Sequence, residues 1–433
     1  MNIEHFIAKR IATTNSNSFT RVIIRIAIAA IAISLAVMIL TTSVMSGFKN
    51  EITNKIFGFW GHIHITDNNV NREFELVPIN KNDKHYDDIR EIKQLEYQQP
   101  AEIIGIKLEN KIVSKSTYGG VKGVHPYIML PCLLNTKDQF HGMLLKGVDA
   151  DYEWSTLGGF IIDGKPIQYL KDTSSSEILI SKNIATKMKL KTGQKVVISF
   201  IRENQQIKRR FEIVGIYNTG LEEYDRRFGI VDIRKLQEIL GWTDAEVHGM
   251  EVVLDNYKDM DIISDYVYYE VVPQKFYAES IRSKFPSIFE WLDLQDINEK
   301  IILQLMVVVA IINMITVLLI LILERTQMIG TLKAIGMANW GIRKIFLYNA
   351  AYIISYGLLA GNVLGLGIAL LQKYFSFIKL DEANYYMDTA PILINPWTII
   401  ALNIATLVIT VMALVIPTVL VTKISPVKAL RFE

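Results

Sequence analysis

Three short patterns in this chain contain residue types that could do chemistry. The first is the run from Gly159 to Pro166, in which Gly159, Gly164 and Lys165 have the spacing of a phosphate-binding P-loop. A P-loop places a Ser or Thr hydroxyl directly after its lysine to hold Mg²⁺, and Pro166 stands there instead. We therefore predict a turn in this run, and any nucleotide hydrolysis must come from another chain.

The second pattern is a histidine pair. His62 and His64 alternate as residues do on one face of a strand, which could suit a metal ion. Among the usual ligand residues only Asp67 lies at a suitable spacing. The pattern therefore favours a surface strand over a metal site.

The third pattern is acidic and lies beside Gly220. Glu222, Glu223 and Asp225 could supply an acid/base pair, but Arg226 and Arg227 follow and can neutralise them. A solvated turn is the favoured interpretation. Together, the interpretations of these three patterns predict that the chain has no catalytic residue, no metal site and no bound cofactor. We therefore predict that the chain is not an enzyme.

The elements that would position any site are set by four uncharged apolar runs. The first two have 23 residues each, enough to cross about 30 Å of hydrocarbon at about 1.5 Å per residue. The other two are longer than one crossing needs, so their ends must lie in the interface or in short loops. We predict four transmembrane helices, at residues 26–48, 301–323, 345–372 and 395–422.

Lys and Arg set the predicted orientation, because they concentrate before the first span, between the second and third, and after the fourth. Both termini are then cytoplasmic. The first span is too long for a signal-peptide core of about 7–15 residues, so a retained anchor is favoured over a cleaved one. The other predicted parts are a cytoplasmic amphipathic segment, a periplasmic domain, a cytoplasmic coupling helix and loop, a short periplasmic loop and a cytoplasmic tail: residues 1–25, 49–300, 324–344, 373–394 and 423–433.

The predicted periplasmic domain has 33 Lys and Arg against 38 Asp and Glu, whereas the whole chain carries +2. The rest of the chain is therefore basic, and no nucleic-acid partner is indicated. Cys132 is the only cysteine, which excludes an intrachain disulfide. Alternating β-rich runs and short helical stretches predict an α+β domain. The strands are expected at 177–181, 195–200, 211–217 and 250–254, the helices at 183–190 and 233–240, and a subdomain boundary near 107–120.

The clearest functional pattern follows the second span. Met328, Leu332 and Ile335 recur at helical spacing as an apolar stripe, Gly336 would end this helix, and Asn339 would cap the next one. Such a helix can seat in a groove of a cytoplasmic ATPase; an ordinary positively charged loop is the alternative. The predicted ATPase-coupling residues are Glu324, Arg325, Met328, Ile329, Gly330, Leu332, Lys333, Ala334, Ile335 and Gly336.

Two patterns concern the last two spans. Gly357, Gly361 and Gly365 repeat every four residues, so one face of the third span can approach another helix closely. This helix packing could occur within the subunit or with a partner, and packing within the subunit is favoured. Pro417 removes a backbone donor and predicts a kink near the cytoplasmic end of the fourth span.

Several longer runs carry a family resemblance over nearly the whole chain. They are Ser43–Phe48 with Ile56–Gly58, Leu145–Asp149, Phe211–Gly220, Glu324–Met337 and Ser425–Arg431. With these runs, the chain resembles the transmembrane permease subunit of the lipoprotein-releasing (Lol-type) ABC transporter, within the macrolide-exporter and cell-division permease superfamily. It departs from that family at Ser46, where an Asn is usual.

The resemblance implies a complex of two permease subunits, the same or related chains, with a cytoplasmic ABC ATPase dimer that binds ATP and Mg. Lipoproteins would be extracted from the bacterial inner membrane and passed to a periplasmic lipoprotein carrier. An apolar cavity would shelter the acyl chains from water, and the same residues could instead face membrane lipid or a neighbouring helix. The predicted cavity residues are Met38, Val44, Met45, Phe48, Ile302, Leu305, Met306 and Val309.

A second function class stays open at this point. A signalling or mechanotransmitting permease would use the same cytoplasmic helix to control a periplasmic partner or hydrolase without moving lipid. The size of the external domain argues against the cell-division type, whose external part is smaller.

Overall fold

A computed structural model of the chain describes residues 4–8, 18–71, 76–103, 106–136, 139–152, 154, 158–171, 173–202, 205–381 and 385–423. The chain forms two compact units. The helical unit comprises residues 1–50, 291–380 and 389–433, and the sheet unit comprises residues 51–290 and 381–388. Residues 424–433 of the predicted cytoplasmic tail, and residues 1–3 and 9–17 of the predicted amphipathic segment, lie outside the described residues.

Residues 4–8 are helical. The helices that follow are α1 (Ser18–Trp60), α2 (His85–Arg90), α3 (Lys182–Met188), α4 (Glu222–Asp225), α5 (Ile233–Leu240), α6 (Met260–Tyr266), α7 (Ile281–Lys284), α8 (Pro286–Glu324), α9 (Thr326–Ala334), α10 (Asn339–Phe375), α11 (Pro396–Leu414) and α12 (Leu420–Lys423).

The strands are β1 (Ile63–Asp67), β2 (Ile79–Asn80), β3 (Glu96–Ile103), β4 (Ile106–Ser116), β5 (Val121–Asn135), β6 (Phe140–Val148), β7 (Ile161–Gly164), β8 (Glu177–Ser181), β9 (Lys195–Arg202), β10 (Gln205–Tyr217), β11 (Phe228–Asp232), β12 (Glu246–Val247), β13 (Gly249–Leu254) and β14 (Phe276–Ser280).

Within the described residues, four helical stretches are long and apolar enough to cross a membrane: Arg21–Trp60, Pro286–Glu324, Asn339–Phe375 and Pro396–Thr422. The first three are longer than the predicted spans. A helix need not end where its apolar stretch ends, because its backbone hydrogen bonds are satisfied internally in water as well as in lipid. The boundaries of the spans themselves stay predictions.

The helical unit has one continuous apolar core. Leu35 and Met38 of α1, Met314 of α8, and Phe346 and Ile354 of α10 are among its fully buried members. The last long helix stops at Leu414, and Pro417 begins a 3-10 turn. Pro417 has no N–H to continue the α-helical ladder, so the break falls where the sequence predicted a kink.

Arg343, a residue of α10, forms hydrogen bonds with residues on both sides of Pro417. Its Nη2 donates to the carbonyl of Val415 at 2.9 Å, and its Nε donates to the Thr418 hydroxyl at 3.0 Å. The hydroxyl of Thr418 also donates to the Val415 carbonyl at 2.7 Å. The carbonyl of Val415, two residues before Pro417, therefore keeps hydrogen-bond partners although the helix is broken.

The sheet unit is built on a ten-stranded sheet ordered β14-β1-β13-β5-β6-β11-β8-β10-β7, with β9 paired to both β10 and β5. Two of its pairings, β6 with β11 and β8 with β10, are parallel. Helices α3 and α5 lie between its strands along the chain. This mixture of strand directions and short helices is the α+β architecture that the sequence predicted.

Several local predictions match the structure closely. The strand at 177–181 and the helix at 233–240 begin and end at the predicted residues. Asp232 caps that helix by accepting from the Arg234 amide, and Gly241 ends it with φ +69°. The helix expected at 183–190 is found at Lys182–Met188, and it ends there because Lys189 adopts a left-handed conformation. The region proposed as a subdomain boundary is largely β4, which pairs with β3 as a separate hairpin.

Candidate functional site

The predicted coupling region forms the short helix α9, set off from α8 by a break at Arg325. The Thr326 hydroxyl donates to the Leu323 carbonyl at 2.6 Å across this break. At the other end Gly336 has φ +94°, a conformation that favours glycine, and the Met337 amide donates to the Leu332 carbonyl at 2.9 Å. Gly336 therefore ends the helix as the sequence predicted.

The apolar stripe on α9 does not face outward as a whole. Ile329 and Gly330 are buried, and Met328 and Leu332 pack against the core of the helical unit. Ile335, by contrast, is 79% exposed. The outward face of α9 consists of the exposed residues Gln327, Thr331 and Ala334, followed by Ile335.

The other predicted coupling residues also differ in their exposure to solvent. Glu324 and Gly336 are exposed, Arg325 is half-buried at the helix break, and Lys333 donates to the carbonyl of Thr422 at 3.2 Å. Asn339 does not cap the next helix. It is the first residue of α10, the residue before it is Ala338, and no side-chain cap is formed there.

The predicted cavity residues also separate by burial. Leu305 and Val309 of α8 are 52% and 36% exposed, and Val44, Met45, Ile302 and Met306 are half-buried. Met38 is fully buried in the helical core, and Phe48 is buried with its ring 5.2 Å from that of Trp291. In this chain Met38 and Phe48 therefore hold α1 in place and do not line an open surface, contrary to the prediction. Neighbouring Lys49 forms an ion pair with Asp296.

The three repeated glycines of α10 face α1. A Cβ at Gly357 would lie 2.7 Å from the Cβ of Ile31, and one at Gly361 would lie 2.8 Å from the carbonyl oxygen of Ala32. At Gly365 the nearest atom would be the Cα of Ala36, at 3.0 Å. The glycines therefore let two helices of the same chain approach closely.

A matched pair of substitutions tests this packing. Gly361→Ala places a methyl group against backbone of α1, and overpacking of this kind costs about 1–3 kcal/mol. Gly367→Ala adds the same methyl group where nothing lies within 4 Å. We expect only Gly361→Ala to lower the apparent melting temperature of the chain in lipid nanodiscs. Equal melting of the two variants would show that the contact with α1 does not constrain α10.

Within the sheet unit, the acidic pattern beside Gly220 proves to be a buried structural element, so the predicted solvated turn is wrong for Asp225. Its carboxylate accepts from the Thr219 amide at 3.1 Å, the Thr219 hydroxyl at 2.8 Å and the Gly220 amide at 3.0 Å. Burial raises the pKa of Asp225, and these three donors oppose the shift. On the surface, Glu222 pairs with Arg226 as a local ion pair.

Gly220, whose amide donates to Asp225, contacts a segment of the chain that lies between α10 and α11. Gly220 has φ +73°, and a Cβ on it would lie 2.6 Å from the carbonyl oxygen of Tyr386. Lys55 Nζ donates to that oxygen at 2.8 Å. Tyr386 itself has φ +60°, which is uncommon for a side chain of this size. Sequence reasoning missed this contact, because residues so far apart in the chain give no local signal.

The histidine pair is also buried, so the predicted surface strand is wrong. The strand β1 lies inside the sheet between β13 and β14. His64 Nε2 donates to the carbonyl of Trp60 at 2.8 Å, while its Nδ1 accepts from Lys284 Nζ at 3.1 Å. Among the residues that the structure describes, no group of three or more His, Cys, Asp and Glu could hold a metal ion.

Beside His64 lies a buried ion pair. Lys146 is fully buried, its Nζ lies 2.6 Å from Glu251 Oε1, and it also donates to the carbonyl of Phe59. Glu251 Oε1 lies 3.5 Å from His64 Nε2. Burial alone would raise the pKa of Glu251, but Lys146 and His64 outweigh it and lower that pKa, so the carboxylate is ionised.

Two protein-family models match this chain. The MacB-like periplasmic core domain model matches residues 26–267, more than half of the chain. The chain belongs to this family. A second model, the FtsX-like permease C-terminal region, matches residues 300–426. Together the two models cover α1 from residue 26, the sheet unit except residues 268–290, and the long helices from residue 300 onward.

Individual relatives are similar over nearly the full length of this MacB-like family member. The lipoprotein-releasing system transmembrane protein LolC of Neisseria meningitidis serogroup B is 22% identical over 435 residues, 96% of each chain. LolE of the same system in Haemophilus influenzae is 21% identical over 452 residues, 99% of each chain. The resemblance to a Lol-type permease drawn from the sequence is thereby confirmed.

The solved structures that match include the extracellular domain of the noncanonic ABC-type transporter YknZ from Gram-positive bacteria. It is 10% identical, covers 51% of this chain and all of that chain, and has a TM-score of 0.30. A score this low supports no comparison of structural detail.

Proposed function

We propose that this chain is the permease subunit of an ABC transporter that extracts lipoproteins from the inner membrane and hands them to a periplasmic carrier. Two relatives in the lipoprotein-releasing system match it over 96% and 99% of its length. ATP and Mg bind to a separate cytoplasmic ATPase dimer, and a second permease subunit completes the complex. The four long helices cross the membrane with both termini in the cytoplasm, and the sheet unit is periplasmic.

The structural observation that carries the proposal is a row of exposed apolar side chains along α8. Ile301, Leu305, Val308 and Ile312 are each more than half exposed and lie along one face of the helix. Moving acyl chains into water costs about 0.8 kcal/mol per CH₂, so extraction needs an apolar surface that replaces the bilayer. The row on α8 offers such a surface, and we assign the half-buried Val44 and Met45 of α1 to the same proposed cavity.

A photocrosslinker at Leu305 tests this assignment. We expect it to capture lipoprotein in membranes without ATP, because substrate must load before the step that expels it, and to capture less after ATP is added. Leu305→Asn should slow release about fivefold or more, since an uncompensated amide in an apolar site costs roughly 1–3 kcal/mol.

Ile368→Asn is the matched control. Ile368 is an exposed apolar residue of α10 at a similar distance from the end of its predicted span, and it is not in the proposed cavity. Crosslinks to phospholipid alone, with equal release by the two variants, would refute the cavity and favour a permease that controls a periplasmic partner without moving lipid.

A further inference from the structure

The sheet unit contains a cavity that the proposed release function does not use. Its volume is about 420 Å³, and its walls include the aromatic rings of Trp60, Tyr127, Phe228 and Tyr277. Cavities that hold small ligands or side chains are typically about 300–1,000 Å³ and mostly apolar, with a few placed polar groups. By its size and these four rings, the cavity is suited to an apolar group, while polar groups come from the other half of its lining: Thr66, Asp67, Asn68, His248, Glu279 and Lys284.

A fixed donor lies in the cavity wall. His248 Nδ1 accepts from the Met129 amide at 3.4 Å, so in the neutral ring the proton sits on Nε2. Burial lowers the pKa of His248 to about 4, which keeps the ring neutral at physiological pH. Its Nε2–H is therefore available to a hydrogen-bond acceptor.

The charges in the lining disfavour an anionic ligand. Lys284 is the one cation among the lining residues, and it is already engaged by Glu279 at 3.3 Å and by His64 at 3.1 Å. Asp67 and Glu279 both contribute carboxylates to the lining. An uncharged group with a carbonyl oxygen satisfies the donor without meeting repulsion from these acids.

The strand β14, which contributes two residues to the lining, indicates which kind of ligand could bring such a group to the cavity. In the described sheet, β14 is the last strand and pairs with β1 alone. The two β14 residues in the cavity lining, Tyr277 and Glu279, are separated by one residue and so share a face of the strand. An extended peptide that adds to an edge strand places alternate side chains on one face, which would bring one of them to the cavity.

We propose that this cavity and the edge of β14 bind an uncharged extended peptide segment of a partner protein. One apolar side chain of the segment lies among the aromatic rings, and a backbone carbonyl of the segment accepts from His248. This site shares no residue with the α8 surface, so it can be tested whether or not that surface carries lipid.

The probe is the blocked peptide acetyl-Val-Thr-Phe-Thr-Val-amide, titrated into the full chain in nanodiscs. Ring ¹⁵N signals of labelled histidines report binding, with the His248 signal assigned from His248→Ala. We expect saturable movement of the His248 signal, and at least tenfold weaker binding when Asp replaces the central Phe. Acetyl-phenylalaninamide should bind more weakly than the peptide, because it fills the cavity without pairing along the strand.

Two variants address the cavity itself. Met129→Trp fills it and should weaken peptide binding at least tenfold. Tyr277→Ala alters a wall residue that is 40% exposed, so folding should be preserved while binding falls about fivefold. Tyr269→Ala, a change at a 74% exposed tyrosine outside the lining, is the control and should bind normally.

The proposal is overturned by absence of saturable binding at millimolar peptide, or by unchanged binding in both cavity variants. Movement of the His248 signal by a monoacylglycerol but not by the peptide would assign the cavity to lipid and also overturn it. Failure of lipoprotein capture at Leu305 bears only on the release function.

Discussion

Replacing Lys146 by Met is expected to lower the melting temperature of the sheet unit by roughly 6–20 °C. Removing one partner of a buried ion pair costs about 3–5 kcal/mol, and 1 kcal/mol shifts the midpoint by about 2–4 °C in a domain of this size. Lys146 is fully buried against Glu251, so its loss leaves a carboxylate inside the protein. The large decrease in melting temperature comes from the cost of the buried unpaired carboxylate, and not only from the lost attraction between Lys146 and Glu251.

The measurement is thermal unfolding of the full chain in nanodiscs, followed by tryptophan fluorescence and by protease sensitivity of the sheet unit. The double variant with Lys146→Met and Glu251→Met should recover part of the loss, because no buried charge is then left unpaired. Lys191→Met, which removes a lysine from an exposed position, is the control. If Lys146→Met melts like this control, the ion pair does not stabilise the fold.

Ile335→Asp is expected to weaken binding of the ATPase by roughly thirtyfold, which corresponds to about 2 kcal/mol, the lower bound of an interface hot spot. Ile335 is 79% exposed at the end of α9, so a carboxylate there should leave the permease folded. In a complex, the same carboxylate would be buried in an apolar groove without a partner. The sequence pattern treats Leu332 as an equivalent target, but Leu332 packs against the helical core, and its substitution would confound folding with binding.

Binding is measured by titrating purified ATPase against the permease in nanodiscs. Ile335→Leu keeps an apolar side chain of the same size and should bind as the unchanged chain does. The variant is first shown to be correctly folded by an unaltered melting temperature. Undiminished affinity of Ile335→Asp would move the contact to another part of the cytoplasmic surface and weaken the proposed coupling role of α9.

The sequence by itself determined the elements whose cause is local. Long uncharged runs require helices, because only a helix or a closed barrel satisfies the backbone in lipid. The break at Pro417 and the helix ends at Gly241 and Gly336 follow from the conformations of those residues alone. The strand at 177–181 and the helix at 233–240 were equally visible, because alternation and helical spacing are short-range patterns.

Tertiary structure alone decided which faces are buried. Met38 and Leu305 are both apolar residues of long apolar helices, yet one is fully buried and the other is half exposed. A helix that is apolar all round has no periodic signal to show which side meets a neighbour. The contrast between Leu332 and Ile335 on α9 has the same origin.

The polar contacts of the sheet unit were hidden for a related reason. Lys146, Glu251 and His64 come from three strands, and Gly220 meets Tyr386 from a distant segment. In the sequence each of these residues resembles an ordinary surface residue. Only the pairing of the strands removes water from them, and the cost of an unpaired buried charge then requires each one to find its partner.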